Sequence, residues 1–291
     1  MNTYLPAPWS ELVARLHVGV EPLDALDPSR SPGRPPSRVA VLVERVPLPH
    51  PLPAHPDDGV GLPALHRSPT GRFALRFGAR GTDAPDRIAI RIPIRITDPA
   101  QRYVPRRLWL PVPALDDVLA ADDQPVKPPR SGRPVLFPGA ARALAPGTTA
   151  VLGRVVRPGP AAEPVPWARV EAGPAGTGTV TWRAHGDRNG EFVLVVGALP
   201  RPAASATTGR IDLDVTVHGP PAPAPGDPVD SPTGSRGDPL WLLPLESVAA
   251  LEAGDPVEAG TRIPLGHTRS VARTERLTRG RLLRPAPYVL P

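Results

Sequence analysis

Forty-six of the 291 residues are proline, and this narrows the available folds more than any other feature. The proline ring fixes φ and removes an amide donor, so it breaks helix interiors and is confined to the edges, ends and bulges of sheets. Long helices are excluded over most of the chain. Between the prolines run short stretches in which Val, Leu and Ile alternate with other residues, as in "RIAIRIPIRI" (87–96) and "RIDLDVTVH" (210–218). Period-two alternation is the signature of strands. The expected class is all-β, with many short strands joined by Pro-rich loops.

Other features remove whole function classes. There is no cysteine, which excludes disulfides, thiol catalysis and thiolate-bound metals and weakly favours a cytoplasmic origin. The start "MNTYLPAPWSELVARLHVGV" lacks a basic segment followed by an apolar core, so no secretory leader is expected. No run reaches the roughly 18 apolar residues of a membrane span, and no membrane partner is expected. The net charge of +6 raises the question of nucleic acid. Lys127 is the sole lysine, and Arg72, Arg76, Arg80, Arg87, Arg91 and Arg95 are spread along strands without interleaved aromatics. Single-strand binders stack bases on such aromatics, so solvated strand faces are expected here, and no nucleic-acid partner.

An internal repeat sets the organisation. "LHVGV" leads through a Pro-rich loop to "SRVAV" (37–41), as "VLGRVV" (151–156) leads to "WARVE" (167–171). "HRSPTGRFALRF" (66–77) then aligns with "HGDRNGEFVLVV" (185–196), and "DRIAIRIPIRI" (86–96) with "GRIDLDVTVH" (209–218). The second of these pairs contains a cluster of His, Asp, Asn and Glu. It does not fit a calcium loop: with Gly190 sixth, the first and twelfth positions are His185 and Val196, and neither is a usable ligand. Asn189-Gly190 instead signals a tight turn, with Phe192, Leu194 and Val196 on one face of the strand that follows. Phe73 and Phe192 are expected as equivalent core anchors, and Gly71 and Gly190 as equivalent turn residues. Pro93 predicts that its strand is an edge or is bulged.

The second unit resembles the carboxypeptidase regulatory-like domain, a transthyretin-like sandwich. The resemblance rests on "VLGRVV" (151–156), "PWARVEA" (166–172) and "DRNGEFVL" (187–194), with Ala168, Val170, Asp187, Gly190 and Phe192 at the positions of that family's pattern. The first unit departs from it at Pro69-Thr70 and at Gly19. The resemblance implies two tandem transthyretin- or immunoglobulin-like β-sandwiches. The boundaries read as an N-terminal extension (1–11), sandwich 1 (12–121), a Pro-rich linker (122–147), sandwich 2 (148–218), a second linker (219–237), and a C-terminal β-rich arm or small domain (238–291). The linkers are expected to be extended and solvated.

No catalytic site is expected. Ser68, His66 and Asp86 can be written as a triad, yet there is no nucleophile elbow. The urate-pathway hydrolase activity known among transthyretin-like sandwiches requires a C-terminal motif that "RPAPYVLP" (284–291) lacks. The acidic pairs Asp116-Asp117 and Asp122-Asp123 read as solubilising. The histidines 17, 50, 55, 66, 185, 218 and 267 never reach the spacing of zinc clusters, so neither metal nor cofactor is expected. Trp109, Trp167 and Trp182 fit either core packing or a sugar platform. The expected function is a non-enzymatic structural or adaptor subunit of a large multiprotein assembly, with a cytoplasmic phage-tail-like contractile injection particle as the leading class. Its expected contact surface is Leu240, Trp241, Leu243, Leu245 and Val248. The alternative is a carbohydrate- or cell-envelope-binding module with a glycan ligand.

Overall fold

The computed structural model describes residues 16–27, 32–33, 37–44, 64–76, 90–122, 125, 129–197, 209–222, 240, 242–252 and 254–291. Their regular structure is strand throughout, apart from one short helix. In chain order the first half carries β1 (Leu16–Val20), β2 (Leu23–Asp24), β3 (Ala40–Val43), β4 (His66–Arg67), β5 (Phe73–Arg76), β6 (Ile90–Thr97) and β7 (Arg106–Val112). It continues through α1 (Leu115–Asp122), β8 (Ser131–Gly132) and β9 (Val135–Leu136). The second half carries β10 (Ala150–Val156), β11 (Arg169–Pro174), β12 (Trp182–His185), β13 (Glu191–Val195) and β14 (Arg210–Gly219). The C-terminal segment adds β15 (Leu245–Ser247), β16 (Arg269–Thr278), β17 (Leu282–Leu283) and β18 (Tyr288–Val289).

Two sandwiches result. In the first, the sheet β4–β5–β1–β8 faces the sheet β15–β7–β6–β3 across a core that includes Val18, Val41, Phe73, Ile94 and Leu110. In the second, β13–β10–β17 with β18 faces β12–β11–β14–β16 across Val155, Val170, Phe192, Val215 and Tyr288. Alternate residues supply each core because strand side chains point to opposite faces in turn.

The repeat is visible in the pairing. β1 pairs antiparallel with β5 as β10 does with β13, and β3 pairs with β6 as β11 does with β14. The two turns are built alike. The Ser68 amide donates to the Arg72 carbonyl at 2.8 Å, and the Asp187 amide donates to the Glu191 carbonyl at 2.8 Å. Ser68 Oγ accepts from the Arg72 amide as Asp187 Oδ1 accepts from the Glu191 amide. A hydroxyl thus does the work of the carboxylate, and Pro69-Thr70 is accommodated. Gly71 (φ 88°) and Gly190 (φ 71°) close the two turns in the left-handed region that glycine enters without strain. Phe73 and Phe192 follow, both buried. Gly153 lies opposite Phe192 in the register, and a Cβ there would fall within 2.1 Å of the ring. The missing side chain is what admits the aromatic.

Several expectations are corrected. β6 is neither edge nor bulged: it lies between β7 and β3, and its register with β7 is continuous from Ile90 to Ile96. The Glu44 amide donates to the Pro93 carbonyl at 3.0 Å. The nitrogen of a strand residue points to the same side as its own carbonyl, so the donor missing from Pro93 faces the end of β3, where the ladder stops. Arg72 and Arg91 are exposed as expected, but Arg95 is buried and paired with Glu44. The side chain of Arg76, and Arg80 and Arg87, lie outside the described residues.

The linker 122–147 is not a solvated connector over 131–139. β8 pairs parallel with β1 and β9 with β2, and Leu136 and Phe137 are buried. Three successive apolar residues between Pro134 and Pro138 gain more by packing than by solvation. The second linker is described only from Gly219 to Ala222. Within 238–291, the described residues (240, 242–252 and 254–291) divide between the two sandwiches instead of forming an arm or a separate domain. β15, Val248, Leu251 and Val257 complete the first sandwich, whereas β16 extends the second along β14 and β17 and β18 pair with β10.

Candidate functional site

Charge is buried along the seam where the sandwiches meet. Arg106 opens β7 in phase with the buried Leu108, Leu110 and Val112, so strand alternation turns it inward at the end of the first core. Its Nη1 donates to the carbonyls of Val135 (3.1 Å) and Glu258 (2.9 Å), and its Nη2 donates to the Val257 carbonyl and to Glu246 Oε1 (3.3 Å). Arg169 opens β11 on the face opposite Val170 and Ala172, outside the second core. It is buried because β15 of the first sandwich covers it: Nη2 donates to Glu246 Oε1 at 2.8 Å, and Nη1 to the Trp167 carbonyl at 3.1 Å. Two guanidiniums, one from each sandwich, therefore share one carboxylate oxygen.

Two histidines flank the pair. His185 stands opposite Arg169 in the β11–β12 register and stacks on Phe137 of the first sandwich, with centroids 4.0 Å apart and planes at 24°. Its Nε2 donates to the Gly260 carbonyl (3.3 Å), and His267 Nε2 donates to the Trp167 carbonyl (3.1 Å). Carbonyls only accept, so both neutral rings carry the proton on Nε2 and present Nδ1 as a lone pair. Burial, reinforced by the Arg169 and Arg106 charges, holds His185 well below the ordinary histidine range. Burial and Arg169 bring His267 down to about 4. Burial also lowers Arg169 against the pull of Glu246, and raises Glu258. Polar atoms remain without partners in this cluster: Glu246 Oε2, Glu258 Oε1, both Nδ1 atoms, and Nε of each arginine.

Trp167 is the pivot of the seam. It is buried, and its φ of 61° is rare for a bulky residue. Its amide donates to the Asp187 carbonyl at 3.0 Å, and its carbonyl receives Arg169 and His267. Such a conformation costs about 1–3 kcal/mol and persists where its surroundings enforce it. Its ring packs with Val104 and Leu243 and walls two clefts. One, of about 260 Å³, runs between Asp98, Tyr103 and Asn189. The other, of about 700 Å³, is lined by six prolines together with Leu242, Leu245, Leu265, Glu246 and His267.

The predicted contact surface is largely turned inward. Val248 lies in the first core, Leu243 packs on Trp167 and Val104, and Leu240 is half-buried beside them. These residues pack because they close the seam. Leu245 alone is exposed, at 38 %, and Trp241 lies outside the described residues. The tryptophans share no platform: Trp109 is exposed on β7, Trp167 is in the seam and Trp182 is in the second core. Ser68 Oγ is committed to its turn through Thr70 and Arg72, His66 is exposed, and Asp86 lies outside the described residues. Asp116 and Asp117 are exposed on the first turn of α1. Among the described residues, no group of three or more His, Asp or Glu is placed to hold a metal, and no helix is long and apolar enough to cross a membrane. Arg106, Arg169, Glu246 and His267 were not singled out by sequence reasoning. Only Arg106 carried a signal, as an arginine in phase with three apolar residues of "RRLWLPV" (106–112).

No known protein family, curated protein or solved structure matches this chain.

Proposed function

We propose that the protein is a non-enzymatic structural adaptor, assembled in the cytoplasm within a large multiprotein particle of the phage-tail-like contractile class, its sandwiches being of the carboxypeptidase regulatory-like kind. The observation behind this reading is the sharing of Glu246 Oε1 by Arg106 and Arg169. Replacing a whole buried ion cluster by apolar residues is often neutral or stabilising. Such a cluster adds little net stability, so its value here lies in orientation. It holds two sandwiches in one arrangement, as a scaffold component requires. The C-terminal segment works to the same end, since it contributes first to one sandwich and then to the other.

The test is affinity purification of the tagged full chain from cells of its native host, followed by velocity sedimentation. The chain is expected to travel with a heavy particle containing tube, sheath or baseplate proteins. Recovery only as a free monomer, or retention on cell-wall glycan, overturns the proposal.

A further inference from the structure

The larger seam cleft is built to receive an extended strand. Leu245, Glu246 and Ser247 all line it, although they are consecutive residues of β15. Neighbouring strand side chains point opposite ways, so three in a row line one cavity only when the strand presents its edge to it. β15 is the terminal strand of its sheet, and among the described residues no strand pairs with its outer edge. An open edge is a template for an added strand.

The surroundings define what is added. The wall prolines and the leucines Leu242 (54 % exposed), Leu245 (38 %) and Leu265 (86 %) offer apolar contact that water does not satisfy. Beneath the cleft the carboxylate of Glu246, more than nine-tenths buried, is shared by two guanidiniums, so a cationic side chain fits the centre poorly. At the rim, Arg157 and Arg262 outnumber Glu163, which favours acidic residues flanking an uncharged centre.

We infer that this cleft docks an extended segment of a partner protein, apolar and uncharged at its centre and acidic at its flanks, added to the free edge of β15. This rests on the adaptor reading and names the surface by which the adaptor holds its neighbour.

The full chain is titrated with two fluorescein-labelled peptides that share a Leu/Pro/Val centre, one flanked by aspartates and the other by lysines. Saturable binding of the aspartate peptide alone is expected, weakened about tenfold in Leu265→Asp and in Leu245→Asp. Leu265 is too exposed for its replacement to unfold the chain, and circular dichroism of both variants checks this. Equal binding of both peptides, unchanged binding by folded variants, no binding at all, or self-association of the chain through Leu265 each overturns the inference. The same variants are followed into the sedimenting particle. Particle entry without peptide binding removes only the cleft, whereas a parent chain that never enters a particle removes the adaptor reading.

Discussion

Arg169, on the outer face of the second sandwich, donates to Glu246, on the edge strand of the first, at 2.8 Å, and both side chains are almost fully withdrawn from water. Each is the other's charge partner across the seam. Removing one leaves a buried charge uncompensated, which generally costs about 3–5 kcal/mol. Glu246→Leu is therefore expected to lower stability by roughly that amount and to split one unfolding transition into two, because Arg106 and Arg169 then face each other unshielded. A single transition within about 1 kcal/mol of the parent in urea denaturation counts against this role for the pair.

Acid is expected to loosen the same seam. His267 titrates near 4 when folded, below the 6.5 of an unfolded histidine, and His185 is shifted the same way. Between those values the unfolded chain binds protons that the folded chain refuses, so folding stability rises with pH. The contribution is fully present above about 6.5 and is lost as pH falls towards 4, at about 1.4 kcal/mol per pKa unit for each ring. Melting temperatures should hold from pH 7.5 to about 6.5 and fall from there to pH 4, and His267→Gln should flatten that fall. An unaltered slope in that variant assigns the acid sensitivity elsewhere.

The two phenylalanines after the turns should be equally indispensable. Phe73→Ala and Phe192→Ala each empty a buried ring site and should cost about 3–5 kcal/mol. Gly153→Ala should be comparably damaging, because its new methyl would overlap the Phe192 ring, and adding Phe192→Leu to it should recover part of the loss. Chemical denaturation of the four variants tests the packing.

Truncation separates an arm from a structural completion. Deleting 264–291 removes the edge strand β16 and the buried Tyr288 and Leu290. Loss of the second sandwich is expected, seen as loss of dispersed amide resonances while the first sandwich persists. A truncated chain with both sandwiches intact returns this segment to the status of an arm.

Amide exchange on the free monomer should find 131–139 protected. The paired positions Ser131–Gly132 and Val135–Leu136, and the Val135 amide donating to the Glu258 carbonyl at 2.8 Å, lie inside the fold. Rapid exchange there would mean that these short parallel pairings open freely.

What the sequence determined alone was local and periodic. Alternation in 90–97 and 210–219 made strands of them, the Ser68 and Asp187 turns were legible from glycine and its neighbours, and the order of matched elements specified one topology used twice. These depend on φ preferences and a two-residue period, which neighbouring residues carry among themselves. The tertiary structure decided where unpaired segments went. Residues 131–139 and 245–260 form strands of only two or three residues whose partners are distant in sequence, so no local pattern announces them. It also decided the seam. Arg169 follows the strand pattern of a solvent-facing residue and is buried only because Glu246, 77 positions away, is brought onto it. Burial of a charge is a property of what covers it, and in this chain the covering strand comes from the other sandwich.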